Sequence, residues 1–124
     1  MPAKKTILII EDEEMLSSMY KVKFDNEGYQ VLTATDGVSG LDLAAKDKPD
    51  LILLDIIMPK LDGFAVLKKL KTDPATKTIP VVLLTNLGQD EDLKRGKELG
   101  AAGYLIKANN TPSEVINKVK NFIK

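Results

Sequence analysis

Cysteine and histidine are both absent from the 124 residues. The first absence excludes disulfides, thiolate metal sites and cysteine nucleophiles. The second removes the usual general base, the commonest zinc ligand and any phosphohistidine carried by this chain. Any phosphoryl chemistry must therefore fall to carboxylates and hydroxyls. Neither sign of charge is in excess, since 18 Lys and Arg balance 18 Asp and Glu, which argues against binding nucleic acid by phosphate neutralisation. The densest basic segment, Lys68-Lys69-Leu70-Lys71, has no interleaved aromatic residue and reads as a solvated helix face. No apolar run approaches membrane-spanning length, and the lysines near the N-terminus lack the apolar segment of a signal peptide, so a soluble cytoplasmic protein is expected. Without internal repeat, low-complexity tract or linker, the chain is expected to form one domain over 1–124, with no second domain attached and enough length for a real core.

What is present is an alternation of apolar runs and amphipathic stretches. Leu51-Ile52-Leu53-Leu54 is continuously apolar and ends at Asp55, the pattern of a strand buried on both faces with an acid at its tip. Ile7-Leu8-Ile9-Ile10 repeats that pattern and runs into Glu11-Asp12-Glu13-Glu14. Strands are predicted over 6–10, 29–34, 51–54, 79–85 and 103–106, and helices over 13–27, 37–46, 63–71 and 91–99. The first helix is expected to bury Leu16, Met19, Tyr20 and Phe24, and the second Val38, Leu41 and Ala45. A fifth helix has the clearest start: Thr111 as N-cap, Pro112 in the first position and Glu114 three residues after the cap. Its expected core stripe is Val115, Val119, Phe122 and Ile123. Five strands alternating with five helices predict an α/β fold, a parallel sheet covered on both faces.

In such a sheet all C-terminal strand ends share one edge. That edge gathers Glu11 and Asp12, Asp55, Thr85 and Lys107 from distant parts of the chain. Each has a plain reading taken alone: an acid after a strand caps a helix, a threonine ends a strand, a lysine is solvated. Together they carry more. Carboxylates a few ångströms apart repel by roughly 4 kcal/mol per pair at an effective dielectric near 20, so the arrangement calls for a cation. Mg²⁺, which prefers oxygen ligands and is commonly shared with a phosphoryl group, is the natural candidate.

These residues bring the chain to a family. It resembles the receiver domains of two-component response regulators over essentially its whole length, through Glu11-Asp12, Asp55-Ile56-Ile57-Met58-Pro59 followed by Asp62-Gly63, and Thr85, Tyr104 and Lys107. The resemblance implies a doubly wound, flavodoxin-like sheet of strand order 2-1-3-4-5. It implies Asp55 as phosphoacceptor from a sensor histidine kinase or histidine phosphotransfer protein, with Mg²⁺ (or Mn²⁺) held by Glu11, Asp12, Asp55 and the backbone carbonyl of Ile57. Lys107 and Thr85 would grip the phosphoryl group, and Thr85 with Tyr104 would switch the surface formed by residues 91–124 toward a downstream protein. Such a domain catalyses only its own phosphorylation and dephosphorylation and is not otherwise an enzyme.

Two positions depart from the family pattern. Lys107 is followed by Ala108 where proline is usual, so its following peptide bond is either a strained cis bond or a trans bond reached by another route. Thr85 is followed by Asn86 where a small residue is usual; the amide either narrows access to the site or adds a hydrogen bond. Ile57 and Leu87, each two residues beyond a site residue, are expected to shield an aspartyl phosphate from water. Rival readings are a flavin- or nucleotide-binding domain, which needs Gly, Ser or Thr after the first strand to cradle a phosphate, and a Mg²⁺-dependent phosphatase, which needs paired aspartates there and a substrate-covering insertion. The first segment Glu11-Asp12-Glu13-Glu14 repels a phosphate, and no GxGxxG occurs.

Overall fold

The computed structural model describes residues 4–123; Met1–Ala3 and Lys124, the outermost residues of the expected 1–124 domain and of the 91–124 surface, lie outside the described residues. The elements run β1 (Thr6–Ile10), α1 (Glu14–Asn26), β2 (Gln30–Ala34), α2 (Gly37–Asp47), β3 (Leu51–Leu54), α3 (Gly63–Thr72), β4 (Val81–Thr85), α4 (Asp90–Glu98), β5 (Gly103–Ile106), a single 3-10 turn (Lys107–Asn109) and α5 (Pro112–Lys120). The strands form one sheet in the order β2-β1-β3-β4-β5, and every neighbouring pair is parallel.

The uninterrupted apolar runs follow from that topology, because helices cover both faces of the central strands. Successive residues point to opposite layers. Leu8, Ile10, Ile52, Leu54, Val81 and Leu83 pack with Phe64, Val66, Leu67 and Leu70 of α3 and Ala44 of α2. Ile7, Ile9, Leu51, Leu53, Val82 and Leu84 pack with Tyr20 and Phe24 of α1 and Val115, Ile116 and Val119 of α5.

Helix starts are fixed locally. The Asp36 carboxylate accepts from the Ser39 N–H at the head of α2, and the Asp62 carboxylate accepts from the Ala65 N–H at the head of α3. At α5, Thr111 and Glu114 form the expected reciprocal capping box with Pro112 inside it.

The structure corrects parts of the sequence reading. Met19, Val38 and Ala45 face solvent rather than the core. The buried face of α2 is built instead from Gly37, Gly40 and Ala44. A Cβ on Gly40 would fall 2.5 Å from Ile10 Cδ1, and one on Gly37 would fall 2.6 Å from Val66 Cγ2. The α2 backbone thus lies against its neighbours, a contact that a search for bulky apolar residues passes over. β4 starts at Val81 rather than Ile79, because Pro80 has no N–H to donate to the ladder. The last helix stops at Lys120, and Phe122 and Ile123 pack half-buried beyond its end.

Candidate functional site

The sheet order places β1 beside β3, with β2 on the far side of β1. The chain direction of successive additions reverses here, and the crevice outside the strand ends at such a point is where open α/β sheets bind ligands. Glu11 follows β1 and Asp55 follows β3, and the two backbones stay paired to the end, with the Asp55 N–H donating to the Ile10 carbonyl at 3.0 Å.

Glu11 and Asp55 are buried and Asp12 is exposed. Carboxylate oxygens of all three lie within 4.8 Å of one another. The helix-cap explanation does not account for them: the N-cap of α1 is Glu13, whose side chain makes no capping bond. Glu11 turns back instead, one oxygen accepting from the Glu13 N–H at 3.1 Å.

Lys107 crosses the sheet edge to meet them. Its ammonium donates to Glu11 Oε1 at 2.5 Å and to Asp55 Oδ2 at 2.8 Å. Asp55 Oδ1 accepts from the N–H groups of Ile56 at 2.7 Å and Ile57 at 3.3 Å, so local backbone orients the carboxylate. Burial pushes the Glu11 carboxyl up to about 7, with the charge on Asp55 adding and the Lys107 hydrogen bond opposing. Burial alone would lower the Lys107 ammonium, but its bonds to Asp55 and Glu11 outweigh that and hold it above its ordinary value. One ammonium among three carboxylates leaves the cluster short of positive charge.

Thr85 is fully buried, and its Oγ1 accepts from the Leu87 N–H at 3.3 Å. The Leu87 carbonyl in turn accepts from the Tyr104 hydroxyl at 2.6 Å. Leu87 therefore links the two residues that the sequence singled out separately, through backbone atoms that no side-chain pattern reveals. Burial raises the Tyr104 phenol to about 12, and the carboxylates of Asp92 and Asp55 add to the shift. Ile57 stands 59% exposed in the loop after Asp55, while the Leu87 side chain packs against the apolar layer.

Both off-pattern positions meet here. No described peptide bond is cis, so Lys107–Ala108 is trans and the chain leaves β5 through the 3-10 turn. Of the two possibilities for Asn86, the hydrogen bond is present: its Oδ1 accepts from the Ala108 N–H at 3.0 Å.

Comparison with known proteins agrees with this geometry. A family model described as the response regulator receiver domain matches residues 7–120. Protein PilH of Pseudomonas aeruginosa is 42% identical over 103 residues, covering 82% of this chain and 84% of PilH. The response regulator PleD of Caulobacter vibrioides is 48% identical over 101 residues, 82% of this chain but 22% of PleD. The DNA-binding dual master transcriptional regulator RpaA of Synechocystis is 40% identical over 118 residues, 95% of this chain and 48% of RpaA. The chain thus spans about a fifth of the first of these longer relatives and about half of the second. Among solved structures, the Vibrio cholerae chemotaxis protein CheY4 superposes with a TM-score of 0.91 at 29% identity, covering 98% of this chain and 100% of that one. The phosphorylated cyanobacterial phytochrome response regulator RcpA gives 0.80 at 32% identity, covering 96% of this chain and 91% of that one.

Proposed function

The chain belongs to the response regulator receiver domain family and is a phosphorylation-dependent switch of two-component signalling; on that premise we propose that Asp55 is its phosphoacceptor. The observation that carries the assignment is the Lys107 ammonium spanning Asp55 and Glu11 at a sheet edge where three carboxylates converge. An oxygen of Asp55 attacks the phosphorus of a phosphohistidine on a histidine kinase or phosphotransfer protein. The P–N bond breaks, its electron pair leaves with the imidazole, and an acyl phosphate forms on the aspartate.

Phosphoryl transfer is mostly positioning and electrostatics. The amides of Ile56 and Ile57 hold Asp55 in place, and Lys107 offsets charge on the incoming group. The donor set fits a hard divalent cation, with three carboxylates and one of them raised to about 7 by burial beside another acid. Glu11, Asp12, Asp55 and the Ile57 carbonyl would hold Mg²⁺ or Mn²⁺. When bound, that cation supplies neutralising charge to the transferring phosphoryl group.

Afterwards the Thr85 hydroxyl donates to a phosphoryl oxygen and gives up the Leu87 N–H. The Leu87 carbonyl carries the change to Tyr104, and so to the surface of α4, β5 and α5, where a downstream protein would read it. Among the described residues, no helix is long and apolar enough to cross a membrane.

Incubation with Mg²⁺ and acetyl phosphate, followed by intact mass measurement, tests the assignment. One labile phosphoryl group is expected on the wild type, none on Asp55→Ala, and none on the wild type after chelation of the metal. Undiminished labelling of Asp55→Ala would disprove the acceptor.

A further inference from the structure

A side-chain hydrogen bond joins the segments that leave β4 and β5. Asn86 follows Thr85 directly, and its carboxamide oxygen accepts from the N–H of Ala108, the residue after Lys107. Proline at 108 would have no N–H to give. The bond thus exists only because an amide stands at 86 and a residue other than proline stands at 108.

The rest of the turn is braced from the other side. The Asn110 N–H donates to the Lys107 carbonyl at 3.3 Å, and the Asn110 side-chain amide donates to the Ile106 carbonyl at 2.8 Å. The Lys118 ammonium of α5 donates to the side-chain Oδ1 of Asn110. Those bonds anchor the turn to β5 and α5, whereas Asn86 anchors it to β4, the strand that ends in Thr85.

We propose that Asn86 is a positioning residue for phosphoryl transfer: by holding the Ala108 N–H it fixes the base of the Lys107 side chain, so that the ammonium stays on Asp55. The proposal rests on Asp55 being the acceptor and Lys107 its electrostatic partner. A lysine has a long, freely rotating stem, and small misplacements of a charge that stabilises a transition state are costly. Fixing the backbone at its root narrows where that charge can go. The same bond extends the coupling of the Thr85 and Lys107 segments past the last paired residues of β4 and β5, Thr85 and Ile106.

Asn86→Leu keeps the size of the side chain and removes the acceptor. Two measurements decide the matter. Amide hydrogen exchange on the unphosphorylated protein is expected to quicken at Ala108 in Asn86→Leu; unchanged exchange overturns the proposal whatever the phosphoryl chemistry. The rate of labelling by acetyl phosphate with Mg²⁺ is expected to fall about fivefold, the rate equivalent of one neutral hydrogen bond, with the urea midpoint lowered by no more than the loss of that one bond. In an Ala108→Pro background, which has already lost the donor, Asn86→Leu is expected to have no further effect. A full fivefold loss in that background would show Asn86 acting on the phosphoryl donor directly and sink the positioning role. Failure of the wild type to label would be a different result, removing Asp55 as acceptor while the exchange measurement still reads the bond itself.

Discussion

Tyr104 shows how a single hydroxyl is tied to its surroundings. Its partial burial, followed by the nearby carboxylates of Asp92 and Asp55, favours the neutral phenol, which lies at about 12 against an ordinary 10.0. A group whose folded value is raised adds stability that is complete below the unfolded value and is lost as pH climbs through the folded one. The wild type should therefore lose an increment of stability between pH 10 and about 12 that Tyr104→Phe does not lose. Urea midpoints of the two proteins across that window check it, and parallel curves would contradict it. The carboxylates that converge at the sheet edge were legible from sequence because acids at the ends of apolar runs are conspicuous, whereas Tyr104 was named only through the family resemblance. Asn86 was conspicuous only as an oddity, since its partner is 22 positions away and is a backbone N–H.

At the level of elements, α3 begins against the loop that follows β3 with no space to spare. The Gly63 N–H donates to the Ile56 carbonyl at 2.7 Å. A Cβ on Gly63 would lie 2.3 Å from the Asp55 carbonyl oxygen and 2.5 Å from Ile56 Cα. Those are backbone atoms and cannot swing aside. Gly63→Ala is expected to cost about 3 kcal/mol through overpacking, read as a lowered urea midpoint, and to slow acetyl phosphate labelling because the same shift moves Asp55. An unaltered midpoint would mean that the loop yields freely. Strands were the most readable elements, with β1 and β3 predicted to the residue, since burial on both faces leaves an unbroken apolar run; the half-buried edge strand β5 was also predicted to the residue. The buried face of α2 was not readable, because glycine contributes by absence and gives no hydrophobic signal.

At the scale of the fold, the sheet separates two apolar layers that, among the described residues, share no side chains. Ile52 faces the α2–α3 layer and Ile7 the α1–α5 layer. Ile7→Val and Ile52→Val are each expected to cost about 1 kcal/mol, and the double variant their sum to within about 0.5 kcal/mol. Equilibrium urea unfolding of the four proteins measures this, and a larger coupling would show that the sheet transmits strain between layers. The overall α/β architecture was legible because alternating strands and helices admit few parallel arrangements. The strand order came from family resemblance rather than from any feature of the strands themselves.

The contact between Lys107 and Glu11 closes a span of 96 residues, and the one with Asp55 a span of 52. During synthesis, both acids emerge and their strands can pair well before the lysine exists. A chain halted short of β5 would hold both acids without their ammonium, and would lack the segment on which Tyr104 sits. The ammonium that pairs with both acids thus enters the chain only once translation has passed residue 107, after both of the strands that end in those acids.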